Sequence, residues 1–250
     1  MGTQKIGIQV YSLKDIYNQD PMKSLKIIRE AGFEAVEFYG KIKMSAEELK
    51  GMLDEIGLEC CGWHTPWEYT RDDILEAFVS YNKVIGNKYL VVPSLPKEYT
   101  ESYDSWIKAA GRLNEIAARL GKHGMYTGMH PHEIEFNPPL NNELPWDIIA
   151  KNTCDDVILQ LDTGNTFRAG TDPEVSLKKY TGRYKTIHLK PYSKEKGFSA
   201  VIGEDDINWE AIVKYAAEKG GAEYFIIEYE AENAAEHIKK CADHIKGILK

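Results

Sequence analysis

The run Tyr126-Thr127-Gly128-Met129 ends in His130-Pro131-His132-Glu133-Ile134-Glu135, so a short apolar segment gives way to two imidazoles and two carboxylates. Proline has no N–H to donate to a sheet ladder and holds the residue before it extended, so a strand arriving here stops at His130. The same punctuation recurs in Ala35-Val36-Glu37, Cys61-Gly62-Trp63-His64, Leu159-Gln160-Leu161-Asp162, Thr186-Ile187-His188 and Ile226-Ile227-Glu228. His130, Asp162, His188 and Glu228 together offer nitrogen and oxygen donors, a mixture that suits Mn²⁺, Co²⁺ or Zn²⁺ better than Ca²⁺. Any one of them alone reads as a polar residue at the start of a loop. Four on successive strands argue for a shared cation, because the carboxylates would otherwise repel one another.

Other residues compete for roles around that set. His132 and Glu133 rival His130 as the strand-five ligand, and His132 otherwise faces a substrate. Glu37 and His64 end strands two and three, where they are candidates for general acid/base work or for holding hydroxyl groups. Lys190 lies two residues beyond His188 and shares its side of the strand, placed to stabilise an oxyanion. Trp63, Trp67, Tyr11 and Phe167 fall near the same strand ends, where they either stack on a ring or pack the core. Only Arg168 and Arg183 lie near these strands and no glycine-rich cradle accompanies them, so phosphate recognition has no support.

These groups meet only if the elements bring the strand ends together. Apolar runs at 6–10, 34–38, 58–63, 89–92, 126–130, 157–161, 184–189 and 224–227 read as eight strands. Between them lie helical patterns. Asp20-Pro21 opens one that Gly32 ends, and Ser45-Ala46-Glu47-Glu48 is a capping box before Leu49, Met52, Leu53 and Ile56. Ile74, Ala77, Phe78, Tyr81 and Ile85 mark the next, and Trp106, Ala110, Leu113, Ala117 and Leu120 form one stripe of a long helix. Further helices are read at 146–151, 173–180, 209–219 and 231–249. Glycines 32, 57, 86, 121, 182 and 220 sit where left-handed helix caps are needed. Strands alternating with helices predict parallel βαβ units closed into a (β/α)8 TIM barrel, a single domain over 1–250. An open doubly wound sheet also alternates, but no Gly-x-Gly-x-x-Gly follows an early strand, and the polar endings run around the whole series. The long connections 131–144 and 190–207 read as functional covers.

The net charge of −8, from 31 basic and 39 acidic residues, argues against nucleic acid or an anionic membrane as partner. Cys60, Cys61, Cys154 and Cys241 form no zinc or disulfide spacing, as expected of a cytoplasmic protein, and no signal peptide or transmembrane span is evident. Trp106 and Trp209 on outer helices either pack on the barrel or mark a homo-oligomer interface.

The stretches 6–15, 31–38, 130–136, 161–165, 187–190 and 226–228 resemble the xylose-isomerase-like barrels that include sugar phosphate isomerases/epimerases. The resemblance covers nearly the whole chain. It implies a divalent metal, Mn²⁺ foremost with Mg²⁺, Co²⁺ or Zn²⁺ as alternatives, held by His130, Asp162, His188 and Glu228. It also implies an isomerase or epimerase acting on a keto-sugar or related polyol through an enediolate. Glu228 or Glu37 is then the base, with His132 or His64 as partner acid. Ketose epimerases of this kind carry a glutamate where His130 stands. The His-x-His variant is similar instead to inosose dehydratases and 3-keto-sugar lyases, which makes a lyase the alternative. A nuclease of related fold and a non-catalytic sugar-binding subunit are further alternatives.

Overall fold

The computed structural model describes residues 4–250. Eight parallel strands, β1 (Lys5–Gln9), β2 (Ala35–Tyr39), β3 (Glu59–His64), β4 (Tyr89–Val92), β5 (Tyr126–Met129), β6 (Val157–Leu159), β7 (Thr186–Leu189) and β8 (Tyr224–Ile227), pair in the order β6-β5-β4-β3-β2-β1-β8-β7. The two edges of that sheet meet. Leu159 N donates to Arg183 O, His188 N donates to Leu161 O, and Asp162 bridges His188, so β6 and β7 close a TIM barrel. Around it lie α1 (Lys14–Gln19), α2 (Pro21–Glu30), α3 (Ala46–Ile56), α4 (Leu75–Val84), α5 (Tyr103–Gly121), α6 (Pro145–Asn152), α7 (Thr163–Arg168), α8 (Pro173–Lys179), α9 (Trp209–Tyr215) and α10 (Ala234–Leu249).

The helix starts follow the local signals. Asp20 accepts from Lys23 N with Pro21 in the first turn, and Ser45 accepts from Glu48 N. The α5 stripe Trp106, Ala110, Leu113, Ala117 and Leu120 is buried against the barrel. Around α4 the expected Phe78 and Ile85 are buried and Ile74 and Tyr81 half-buried, but Ala77 is exposed and Leu75, Val79 and Asn82 extend the buried face instead. Left-handed backbone occurs at Gly32, Gly57, Gly86 and Gly182 as expected, but Gly124 and Gly221 take that role in place of Gly121 and Gly220. The helical segments do end at Gly121 and Gly220, and the left-handed residue follows three positions later in one case and one position later in the other. Trp106 and Trp209 are buried on the barrel, and Trp209 also donates to Asp205. No helix among the described residues is long and apolar enough to cross a membrane.

Alternation along the strands separates the main core, between strands and helices, from the lumen. Low in the lumen, Ala35, Cys61 and Ile226 form one small cluster, and Tyr89, Val91 and Ile158 another. Two residues further along their strands, Ala35, Ile158 and Ile226 are followed by Glu37, Gln160 and Glu228. β3 does not keep step. Its register against β2 shifts from Val36↔Cys60 to Glu37↔Gly62, a bulge that leaves Cys61 as the extra residue. Strict alternation after Cys61 would turn Trp63 inward. The bulge sends Trp63 outward against Phe38, Phe78 and Tyr81, and brings His64 into the lumen.

Candidate active site

The ends of β5 to β8 converge as barrel closure requires. One ligand atom from each of His130, Asp162, His188 and Glu228 lies within 4.8 Å of the others, and all four residues are buried. His188 Nδ1 stands 2.7 Å from Glu228 Oε2 and 4.0 Å from Asp162 Oδ2, and His130 Nε2 is 3.8 Å from the same Asp162 oxygen. Asp162 Oδ1 accepts from Asn165 N at 2.7 Å and so caps α7, a short helix absent from the sequence reading. Its Oδ2 is buried without any hydrogen-bond partner. A buried carboxylate oxygen with no donor, facing two imidazoles and a second carboxylate, fits a divalent cation.

The electrostatics point the same way. Burial alone would favour neutral His188, but Glu37 and Glu228 outweigh it and push its pKa up to about 10. Burial raises Asp162 to about 6. Burial also acts to raise Glu228, but the Lys190 ammonium and His188 hold it well below the carboxylate range. His130 is held well below the usual histidine range chiefly by burial, with three imidazoles beside it adding to the effect.

Glu37 is placed differently from the expectation that it transfers protons with substrate. Its exposure is 0%, and its oxygens are taken by His188 Nε2 at 2.5 Å, His64 Nε2 at 3.0 Å, Gln9 at 2.9 Å and Gln160 at 2.8 Å. Burial works to raise its pKa, yet the two imidazoles hold it at about 2. It lies one pleat below the mouth and has no open face toward a substrate. Its influence on chemistry passes through the histidines.

Above the cluster opens a cavity of about 380 Å³, walled by Tyr11, Tyr39, Pro66 and Pro93 on one side and by His64, His130, His132, Glu228 and Glu230 on the other. That volume suits a monosaccharide. His132 is at the open rim, its ring 5.2 Å from that of His130. Desolvation, followed by the Lys190 ammonium, pushes its pKa down to about 4, so it is neutral at pH 7. Lys190 is buried and bonded to Glu230 at 2.9 Å, with Glu228 at 3.5 Å. Burial alone would lower its pKa, but these carboxylates and Asp162 raise it.

Gln9, Gln160 and Glu230 join the site without having been singled out from the sequence. The signal was present in the strand period, since Gln160 stands two residues before Asp162 and Glu230 two after Glu228. Of the aromatic candidates, Tyr11 reaches the cavity, while Trp63 is in the core, Trp67 packs on Tyr99 and Phe167 on Tyr192. Arg183 is held by carbonyls of Ala150, Cys154 and Val157. Arg168 pairs with Glu133 at 2.6 Å, which takes that carboxylate away from the ligand set.

The family described as xylose isomerase-like TIM barrel matches residues 25–248. An inosose dehydratase of Clostridium perfringens is 25% identical, the match covering 86% of each chain. Among solved structures, a sugar phosphate isomerase/epimerase from Parabacteroides distasonis superposes with a TM-score of 0.82 at 24% identity, covering 100% of this chain and 96% of that one. A probable 3-DHS dehydratase from Bacillus anthracis superposes with a TM-score of 0.75 at 14% identity, covering 99% of each.

Proposed function

This chain belongs to the xylose isomerase-like TIM barrel family, and from that premise we propose that it is a divalent-metal-dependent lyase, removing water or another β-substituent from an uncharged keto-sugar or ketopolyol. The observation that carries this reading is the chemistry at the end of β5. His130 occupies the position where the resemblance puts an epimerase glutamate. The nearby carboxylates are engaged elsewhere, Glu133 with Arg168 and Glu135 with the His132 backbone N–H at 2.7 Å. Carboxylate therefore faces the cavity only from the β8 side, as Glu228 and Glu230. Epimerisation by two carboxylates on opposite faces of a substrate has no second partner, which favours elimination over the isomerase/epimerase reading. The dehydratase similarity supports the same choice.

A bound divalent cation would supply Lewis acidity that makes the C–H beside a substrate carbonyl more acidic. His130, Asp162, His188 and Glu228 would hold it. Neutral His132 at the rim accepts the proton from that carbon. The Lys190 ammonium does not line the cavity; buried behind Glu228 and Glu230, it offsets through them the charge gained by the substrate oxygen. His132 then returns the proton to the β-hydroxyl as its C–O bond breaks, so water leaves, a C=C bond remains and no oxidant is consumed. The cavity lining includes no arginine or lysine and presents Glu228 and Glu230, which disfavours a phosphorylated substrate. Cytoplasmic location and independence from nucleic acid belong to the same reading.

The test is proton exchange. Mn²⁺-loaded protein is incubated in D₂O with inososes, 3-keto-glucosides and ketohexoses and followed by NMR. Deuterium entering beside the carbonyl, with loss of a β-substituent and growth of enone absorbance, is the expected result. Epimer formation with every substituent retained would restore the epimerase reading. A metal-loaded protein that exchanges no proton in any of these compounds would overturn the enzymatic one.

A further inference from the structure

We propose that Glu37 and Gln160 form a buried polar floor that sets the tautomers of His64, His130 and His188, and that this floor shapes the site's affinity for a divalent cation. The first half stands on hydrogen-bond geometry around an ionised Glu37, and the second rests on the metal reading above.

Gln160 makes four contacts with no exposure to water. One end of its amide faces Glu37 Oε1 at 2.8 Å and Thr186 Oγ1 at 2.9 Å, and the other faces His64 Nε2 at 2.8 Å and His130 Nδ1 at 3.1 Å. An ionised carboxylate only accepts, so the NH₂ must turn to Glu37 and the carbonyl must turn to the histidines. This orientation follows from Glu37 and does not depend on telling amide nitrogen from oxygen. His130 therefore carries its proton on Nδ1 and keeps the Nε2 lone pair, 3.8 Å from Asp162 Oδ2, for the cation position between them. His64 Nε2 faces two acceptors, Gln160 Oε1 and Glu37 Oε2, and so carries a proton. His188 Nε2 donates to Glu37 Oε2 at 2.5 Å, so Nδ1, which faces Glu228 and Asp162, is the atom that would give up its proton to become the ligand atom. One carboxylate decides three tautomers, His64 and His188 by direct contact and His130 through Gln160.

The backbone is cut to admit this carboxylate. A Cβ at Gly62 would collide with Glu37 Oε1, so any side chain there displaces Glu37. Gly62 is also the residue that the β3 bulge sets opposite Glu37 in the ladder. Gln9 donates to Glu37 Oε2 while accepting from Tyr11 N, which ties the floor to the first turn of the cavity wall. Glu37 and Gln160 are positioning residues. Partners of this kind that orient ligating histidines are worth about 10–100-fold in metal affinity.

The experiment reads tautomers and metal affinity separately. Long-range ¹H–¹⁵N NMR of the metal-free protein should show His130 protonated on Nδ1, and a ring protonated on Nε2 alone would overturn the proposal without any variant. Glu37→Gln keeps the volume but frees the Gln160 amide to turn. It should mix the His130 tautomers and weaken Mn²⁺ binding about 10–100-fold by calorimetry, with the melting temperature nearly kept. Adding Gln160→Glu to Glu37→Gln moves the carboxylate under His64 and His130 while an amide oxygen at 37 still accepts from His188. This double variant should regain at least about tenfold in Mn²⁺ affinity, whereas a merely structural role predicts further loss. Wild-type affinity and unchanged tautomers in Glu37→Gln would refute the floor. The assigned tautomers in a wild-type protein that binds no Mn²⁺ would uphold the floor and defeat the cation reading.

Discussion

The lower and upper halves of the barrel lumen are built by the same strands one pleat apart, yet one is packed like a core and the other is charged. Below, Ala35, Cys61, Ile226, Tyr89, Val91 and Ile158 fill the space between strands. Above, Glu37, Gln160, His64, His130, Asp162, His188 and Glu228 face the same axis, and Asp162 Oδ2 lacks any partner. The lower half contributes burial, which is favourable at about 25 cal/mol per Å² of apolar surface. The upper half carries desolvated charges that cost free energy unless paired. The difference teaches that stability and chemistry are separated here by height in the barrel, so substitutions in the two halves should have opposite signatures.

The largest expected effect is in the upper half. Asp162→Asn keeps Oδ1 to cap α7 but replaces the oxygen left without a donor. Mn²⁺ binding should be lost and turnover should fall by more than about a thousandfold, with the melting temperature unchanged or raised. Calorimetry with metal and a thermal melt decide it, and a large drop in melting temperature with metal affinity kept would break the comparison. The mirror image is Ile158→Ala in the lower half. It should cost about 3 kcal/mol in denaturant unfolding, with Mn²⁺ affinity per folded molecule held within about twofold. A loss of affinity as large as the loss of stability would show the halves to be coupled.

A third prediction sharpens the boundary, since Glu135 is a buried carboxyl just outside the mouth, raised by desolvation from 4.5 to about 7. The folded protein holds its proton more tightly than the unfolded chain, so the resulting stability is fully present below pH 4.5 and is lost as pH rises through about 7. Glu135→Gln should flatten the melting temperature between pH 5 and 8, with at most about 3 kcal/mol gained at the alkaline end. A wild-type melting curve already flat over that range would refute it. The smallest effect is expected from Lys190→Met, which removes the buried ammonium behind Glu228 and Glu230 while keeping most of its stem. Turnover should fall about a hundredfold with Mn²⁺ affinity retained or increased, and an unchanged turnover would remove Lys190 from the chemistry.

Much of this was legible in the chain because it is local. Asp20-Pro21 and Ser45 start helices where side-chain oxygens meet free N–H groups, and Pro131 stops β5 at His130. The alternation of strands with helices led to the barrel, and the barrel places the ends of β5 to β8 side by side. Barrel closure alone therefore groups His130, Asp162, His188 and Glu228 from their places at the ends of successive strands.

What only the tertiary structure decided was the height of each residue in the lumen and the face it presents. A period of two says that Glu37 and His64 share a side with the other strand endings, but strands in a barrel are staggered, so equal distance from a strand end is not equal depth. Glu37 fell one pleat below the mouth and became the floor. The bulge opposite Glu37 depends on the pairing of β2 with β3, and it exchanges Trp63 for His64 without altering a residue of the pattern. Gln160 looked like an ordinary strand residue, and its role exists only because Glu37, His64, His130 and Thr186 arrive from four other strands. Local chemistry along the chain sets the elements and their order. Register and stagger, which are properties of pairs of strands, set which of those side chains meet.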